Sequence, residues 1–161
     1  MKLSKEIWGV LRIALGAIFL WAFLDKLFGL GFSTPADKSW LAGNSPTYGF
    51  LTGAVKGPLA SFYQGLAGNI FVDWLFMLGL LFVGVGLILG IFVRLSSLAG
   101  ALMLFLMWTA VLPPKNNPLL DDHIIYLLVM IGFIVVHAGR WIGLGTWWHD
   151  LEFVKKHKWL E

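Results

Sequence analysis

The chain contains no cysteine among its 161 residues. Without a thiol it offers no disulfide exchange, no thiolate metal site and no iron–sulfur ligation. Haem held by two histidines is also not expected within one chain, because His123 and His137 lie on one apolar segment and no other apolar segment carries a histidine. The sequence therefore predicts neither a metal nor a haem as a bound cofactor.

Charge is also scarce, since Asp, Glu, Lys and Arg make up 13% of the residues and apolar types make up 58%. A soluble domain is nearer to about one-quarter charged and half apolar. A membrane span needs about 20 mostly apolar residues. We predict one all-α integral membrane domain over residues 1–161, a four-transmembrane-helix bundle with spans at 7–28, 70–92, 95–112 and 121–140.

The basic residues predict the direction of insertion. With both termini in the cytoplasm, eight of the twelve face inside: Lys2, Lys5, Arg12, Arg94, Arg140, Lys155, Lys156 and Lys158. The positive-inside rule favours this topology. The first apolar run is longer than that of a secretory signal and is read as a span. The basic residues are spread along the membrane edges and form no stripe typical of nucleic-acid binding.

Two segments outside the spans are predicted to have structure of their own. Residues 31–69 form a long extracytoplasmic loop, which we expect to fold as a cap over the bundle, with a short helix within Pro58–Gly65. The alternative is an aromatic belt at the lipid surface. The cytoplasmic tail, residues 141–161, is typical of an interfacial amphipathic helix with Trp147, Leu151 and Val154 on one face, and with solvated His149 and His157.

The last span carries ionisable groups that a membrane disfavours. One stripe of a continuous helix would hold residues that recur at intervals of three and four, with Asp122 at its edge: His123, Tyr126, Met130, Phe133, His137 and Arg140. The first and last spans together predict an outer cluster of Asp25, Lys26, Asp122 and His123. They also predict an inner polar cluster of Arg12, Arg94, His137 and Arg140. For Arg12 and Lys26 the alternative is that each snorkels to the headgroups.

The outer cluster has the chemistry of a quinone site. A quinone headgroup needs hydrogen-bond donors at its carbonyls and a proton source when it is reduced. A histidine beside a carboxylate supplies both. We predict Asp122, His123 and Tyr126 as the catalytic residues, Lys26 as a further donor, and membrane quinone as the electron acceptor. The alternative is a structural ion pair of Lys26 with Asp122 or Asp25.

Several segments resemble one known family. The run NNPLLDDHIIYLLVMIGFIVVHAGRWIGLGTWW, together with LGAIFLWAFLDKLFGLGF, SPTYGFLTGAVKGPLASFY, DWLFMLGLLFVGVGLILGIFVR and LMWTAVLPP, resembles the DoxX/DoxD family and within it the DoxD-type subunit of thiosulfate:quinone oxidoreductase. The resemblance implies a four-helix protein of the bacterial or archaeal cytoplasmic membrane. It also implies oxidation of thiosulfate on the outer face, with electrons passed to membrane quinone.

The resemblance further implies partners. The family's enzyme pairs this subunit with a small DoxA subunit, so we expect a DoxA-like or other redox partner, and a homo-oligomer is left open. Other DoxX-like proteins imply the alternative of a non-catalytic membrane scaffold for a redox partner. Thiosulfate is a dianion, so its site should be basic and outside, aided by backbone N–H groups of the cap. We expect substrate binding by Asp25, Lys26, Lys38 and Lys56.

Overall fold

The structure, a computed structural model, describes residues 2–160, without the side chains of Lys2 and Lys158. The predicted cytoplasmic location of the two termini concerns Met1 and Glu161, which are outside the described residues. Within residues 2–160 all regular secondary structure is helical, and there is no strand. Eight helices and three 3-10 turns follow one another there: α1 (Lys2–Phe28), a turn at Ala36–Lys38, α2 (Tyr48–Gly53), α3 (Ala60–Gln64), α4 (Ile70–Leu89), α5 (Val93–Ala110), α6 (Asp122–Val135), a turn at Ala138–Arg140, α7 (Gly145–Asp150), α8 (Glu152–Lys156) and a turn at Lys158–Leu160.

Three of the described helices are long and apolar enough to cross a membrane, namely α1 from Leu3, α4 and α5. They correspond to the first three predicted spans. Helix α6 is apolar but has only 14 residues. At about 1.5 Å per residue it is roughly 21 Å long, which is less than the hydrocarbon core of about 30 Å.

The fourth predicted span, 121–140, is not one continuous helix. Helix α6 ends at Val135, and His137 adopts the left-handed conformation with φ 53° before the turn Ala138–Arg140. Met130 and Phe133 are fully buried, as the stripe predicts, whereas His137 and Arg140 have left the helix and are exposed. The predicted continuous polar stripe is therefore wrong beyond Phe133. The chain reverses there because the tail packs back onto the bundle.

The long helices pack in the order α1, α4, α5 and α6. Small residues let α1 and α4 approach closely, since a Cβ on Gly16 would lie 2.9 Å from Leu87 Cβ and one on Gly84 would lie 2.7 Å from the Leu20 nitrogen. The rings of Trp8 and Phe133, 6.1 Å apart and edge to face, connect α1 to α6. The core therefore runs through the middle of the bundle.

Arg12 of α1 is completely buried in this packing. Its guanidinium donates to the carbonyls of Leu87 and Ile88 at the end of α4, and to those of Trp141 and Ile142 after α6. The carbonyls at a helix C-terminus carry partial negative charge and lack helical partners, so they stabilise a buried cation. The alternative that Arg12 snorkels to the headgroups is wrong, because Arg12 is buried and its hydrogen bonds hold three segments together inside the protein.

The tail is not the single amphipathic helix expected for residues 141–161. Helices α7 and α8 are separated at Leu151, whose φ of −64° and ψ of 131° are extended. Val154 is buried while Trp147 is 58% exposed, so the two do not share one lipid-facing surface. The Trp148 indole N–H donates to the Leu160 carbonyl at 2.9 Å and closes the tail into a compact unit.

We expect Arg12→Met to lower the free energy of unfolding by about 3 kcal/mol or more, since each buried carbonyl left without a partner costs about 1–3 kcal/mol. Denaturation of the purified protein in detergent measures the change. Arg94→Met, which removes an exposed arginine from α5, is the matched control and should unfold like the wild type. Equal losses in both variants would contradict the locking role of Arg12.

Candidate functional site

The segment between α1 and α4 forms a small folded unit at one end of the bundle. Leu51, Val55 and Tyr63 make its apolar core against Ala110 of α5. Helix α3 lies within the predicted Pro58–Gly65. The backbone N–H of Trp40 donates to the Lys26 carbonyl at 2.9 Å, so the segment folds back over the end of α1. We call residues 29–69 the cap.

A buried carboxylate fixes the first turn of the cap. Asp25, 1% exposed, accepts hydrogen bonds from the Phe32 N–H at 3.1 Å, the Ser33 N–H at 2.9 Å and the Ser33 hydroxyl at 2.6 Å. These donors occupy both carboxylate oxygens. Asp25 therefore positions the cap rather than lying open to a substrate.

A second buried carboxylate, Asp73 of α4, was not anticipated from the sequence. It accepts from the hydroxyls of Ser45 at 2.8 Å and Thr47 at 2.6 Å. Beside it the rings of Trp40 and Trp74 meet edge to face, 4.7 Å apart. Aspartate is common in the first turn of a helix, so the sequence alone does not single out Asp73 as a contact to the cap. The sequence offered no local signal for this contact, because Ser45 and Thr47 precede Asp73 by 28 and 26 residues.

A cavity of about 320 Å³ lies between the cap, α4 and α5, and Lys26 of α1 lines it. Its other walls are almost entirely apolar and include Phe50 and Phe76. Leu75 on α4 and Leu106 on α5 also line it and are 63% and 45% exposed, so the cavity adjoins the lateral surface between these helices. We call this space the cap cavity.

Lys26 is the one charged side chain of the cap cavity. Its ammonium makes no hydrogen bond and no ion pair within 4 Å in the part of the chain that the structure describes, although the charge of Asp25 acts on it at longer range. The alternative of a close structural ion pair with Asp25 or Asp122 is therefore not seen in residues 2–160. The hydroxyl of Tyr63 is already bonded to Thr109 at 2.6 Å. Lys26 remains as the polar group able to bind a ligand there.

The predicted catalytic residues lie on α6, and none of the three lines the cap cavity. His123 Nδ1 is 2.8 Å from an oxygen of Asp121 and 3.9 Å from Asp122, which is 73% exposed. Asp121 also caps α6 through the Ile124 N–H at 3.3 Å. The carboxylate that orients His123 is thus Asp121 rather than the predicted Asp122. Tyr126 packs against the apolar core.

The three predicted substrate lysines are not brought together. Lys26 lines the cap cavity, whereas Lys56 lines a different cleft of about 360 Å³ with Lys115, Asp121 and Asp122. Lys38 lies exposed in the turn Ala36–Lys38. Three neighbouring side chains have potential ligand atoms within 4.8 Å of one another and could hold a metal ion, namely Asp121, Asp122 and His123. Exposed acidic groups are, however, common in the absence of a metal ion.

The predicted inner polar cluster is partly assembled at the opposite end of the bundle. Arg94, His137 and Arg140 line one pocket of about 240 Å³, and Arg12 instead points to its cage of carbonyls. His149, expected to be solvated, lines the same pocket and accepts from Arg140 Nη2 at 2.8 Å. We call this space the basic pocket.

The fold and these sites define a class, an all-helical protein with helices able to cross a membrane and a cavity at each end of its bundle. Comparison with family models, with curated proteins and with solved structures gave no match. The resemblance to the DoxX/DoxD family therefore continues as an expectation from the sequence.

We expect Asp73→Ala to release the middle of the cap, because Ser45 and Thr47 lose their shared acceptor. Amide hydrogen exchange of residues 45–52 should become at least about tenfold faster, the factor for a loss of about 1.4 kcal/mol. Asp37→Ala, which removes an exposed carboxylate from the same cap, should leave these rates unchanged. Unchanged exchange in Asp73→Ala would contradict the clamp.

Proposed function

We propose that the chain is a four-span protein of a prokaryotic cytoplasmic membrane, with α6 and the turn after it as the fourth crossing. The start of α1 and the tail lie at the same end of the bundle, since a Cβ on Gly9 would lie 2.9 Å from the Ile142 side chain. An even number of crossings returns the chain to the side of the membrane on which it began, which agrees with that contact. The bias of basic residues favours this end as cytoplasmic, which makes the cap extracytoplasmic.

We propose that the cap cavity binds the headgroup of a membrane quinone. The observation that carries this proposal is the ammonium of Lys26, which makes no hydrogen bond or close ion pair among the described residues and lines an otherwise apolar cavity. Small-molecule sites are mostly apolar, with a few polar groups that orient the ligand. A quinone fits this chemistry, because a carbonyl oxygen accepts from Lys26 while Phe50 and Phe76 contact the ring. The isoprenoid tail leaves toward lipid between Leu75 and Leu106.

The electron donor that we propose is thiosulfate, with the chain as the membrane subunit of a thiosulfate:quinone oxidoreductase-like complex. Two thiosulfate ions form the central S–S bond of tetrathionate and release two electrons. The quinone takes up these electrons and two protons to become a quinol. Cysteine is absent from the chain, so the electrons pass directly from the donor or through a centre in a DoxA-like partner. Exposed Lys38 and Lys56 lie on the cap, where a dianion arrives.

Lys26→Met tests the quinone site, because it keeps the aliphatic stem and removes the charge. We expect the dissociation constant of a short-chain quinone to rise about tenfold, since a hydrogen bond to a charged group contributes about 1.5 kcal/mol. Quenching of tryptophan fluorescence in nanodiscs measures binding. Lys38→Met removes the same charge from the exposed cap and should bind like the wild type. Identical affinities in both variants would exclude Lys26 from the site.

His123→Ala tests proton delivery separately from binding. We expect thiosulfate-dependent quinone reduction by the protein with its copurified partner to fall about 100-fold, the usual contribution of a general acid. Quinone affinity should stay near the wild-type value. His157→Ala, on the tail, should keep full turnover. A folded wild-type complex that binds its partner but shows no turnover would replace this function with the scaffold alternative.

A further inference from the structure

The tail carries an apolar surface that the proposed quinone chemistry does not use. Phe153 and Trp159 are 63% and 55% exposed, whereas Val154 and Leu160 fill the interior of the same compact unit. Contiguous apolar surface on a folded protein marks contact with a membrane or with another protein. Phe153 and Trp159 are joined through the ring of His157, and we call these three residues the aromatic patch.

Ring contacts and one hydrogen bond order the aromatic patch. The centroid of the His157 ring lies 4.7 Å from that of Phe153 and 6.3 Å from that of Trp159. His157 Nδ1 is 2.9 Å from the Phe153 carbonyl oxygen, which can only accept, so Nδ1 is the donor. The imidazole is thereby held between the two exposed rings. Because the surface is formed in advance, little side-chain entropy is lost when it binds.

Another side of the same helix is charged. The side chains of Glu152 and Lys155, 83% and 49% exposed, form an ion pair at 3.5 Å. Consecutive residues of a helix point about 100° apart, so Phe153 lies on a different face of α8 from Glu152. The tail is therefore amphipathic, with aromatic rings on one side and an exposed ion pair on another.

The aromatic patch is attached to the start of α5. The turn Lys158–Leu160, which contains Trp159, packs against α5. Trp148 connects this turn to the beginning of that helix, because its indole donates to the Leu160 carbonyl and its ring lies 4.3 Å from the ring of Phe92. Helix α5 is long and apolar enough to cross a membrane. The end of such a helix lies where the bilayer meets water.

The other end of the tail adjoins a second apolar helix at the same level. Ile142, 48% exposed, lies against Gly9 of α1, where an added Cβ would be 2.9 Å from its side chain. Val10, the next residue of α1, is 59% exposed. The exposed apolar surface of the tail thus lies beside the lateral surfaces of two helices that can cross a membrane.

A bilayer surface is the partner that these observations favour. Tryptophan and other aromatic residues concentrate at the membrane–water interface, where an apolar ring and a polar edge are both accommodated. Lys155 and Lys156 follow the ring of Phe153 in α8 and are exposed. Long basic side chains at this level extend to the lipid headgroups. Lipid also surrounds the ends of any helix that crosses the membrane, so it is present where the patch lies.

We propose that the compact tail lies on the bilayer, with the aromatic patch inserted among the lipid headgroups and the Glu152–Lys155 pair facing water. The inference rests on the proposed insertion of the long helices in a membrane, and it does not involve the quinone site. It assigns the lipid contact to Phe153 and Trp159, whereas Val154, on the face expected from the sequence, is buried.

The absence of cysteine allows a single fluorescent label to be attached at a chosen position. Phe153→Cys and Trp159→Cys place the label in the aromatic patch, and Glu152→Cys is the matched control on the charged side. Leu102→Cys replaces an exposed leucine of α5 and reports membrane insertion. Each labelled protein is reconstituted in phosphatidylcholine nanodiscs that contain a lipid with a spin label either near the headgroup or near the chain end, and quenching is measured.

We expect the labels at Phe153 and Trp159 to lie about 5–10 Å below the bilayer surface, the depth of interfacial helices. The shallow spin label should therefore quench them more strongly than the deep one. The label at Leu102 should show the reverse order. The label at Glu152 should be quenched by neither lipid and by aqueous iodide instead. This combination of results supports the proposal.

Three other results overturn the proposal. Labels at Phe153 and Trp159 that no lipid quenches, beside a quenched label at Leu102, exclude the lipid contact and leave membrane insertion intact. If aqueous iodide also fails to quench them, the aromatic patch is buried against another protein. Equal lipid quenching at Glu152 and Phe153 means that the tail has no lipid-facing side. A label at Leu102 that neither lipid quenches contradicts the insertion itself, and with it the inference.

Discussion

The structure depends on the hydrogen bonds between one buried cation and the ends of other segments. Arg12 lies within an apolar helix, where an unpaired charge would be very costly. The carbonyls around it belong to the end of α4 and to the chain after α6, and they would lack partners themselves. Each side reduces the other's penalty, so α1, α4 and the tail are held in one arrangement. The short α6 and the early reversal at His137 follow, because the tail must reach Arg12.

The cap uses the opposite charge in a similar way. Asp25 and Asp73 are buried carboxylates that accept hydrogen bonds from loop N–H and hydroxyl groups. They attach the cap to α1 and α4 at two points, and between these points the cap cavity remains open. Lys26 is next to Asp25 in sequence, yet it lines the cavity instead of pairing with that carboxylate. An apolar space under the cap with a single cation suits a lipid-soluble ligand with a polar head.

The two cavities differ in chemistry. The cap cavity is apolar with one cation and adjoins the side of the bundle. The basic pocket is smaller and is lined by arginine and histidine side chains.

The sequence by itself determined the class of protein, because the apolar runs of α1, α4 and α5 are local properties of composition. It also indicated that Arg94, His137 and Arg140 gather at one end. Only the tertiary structure decided the partners. Arg12 binds a carbonyl 75 residues away and another 129 residues away, and Asp73 binds hydroxyls of the cap 26 and 28 residues before it. The choice of Asp121 over Asp122 depends on side-chain direction at a helix start, and the end of α6 depends on packing of the tail. Such contacts join distant parts of the chain, so no local pattern specifies them.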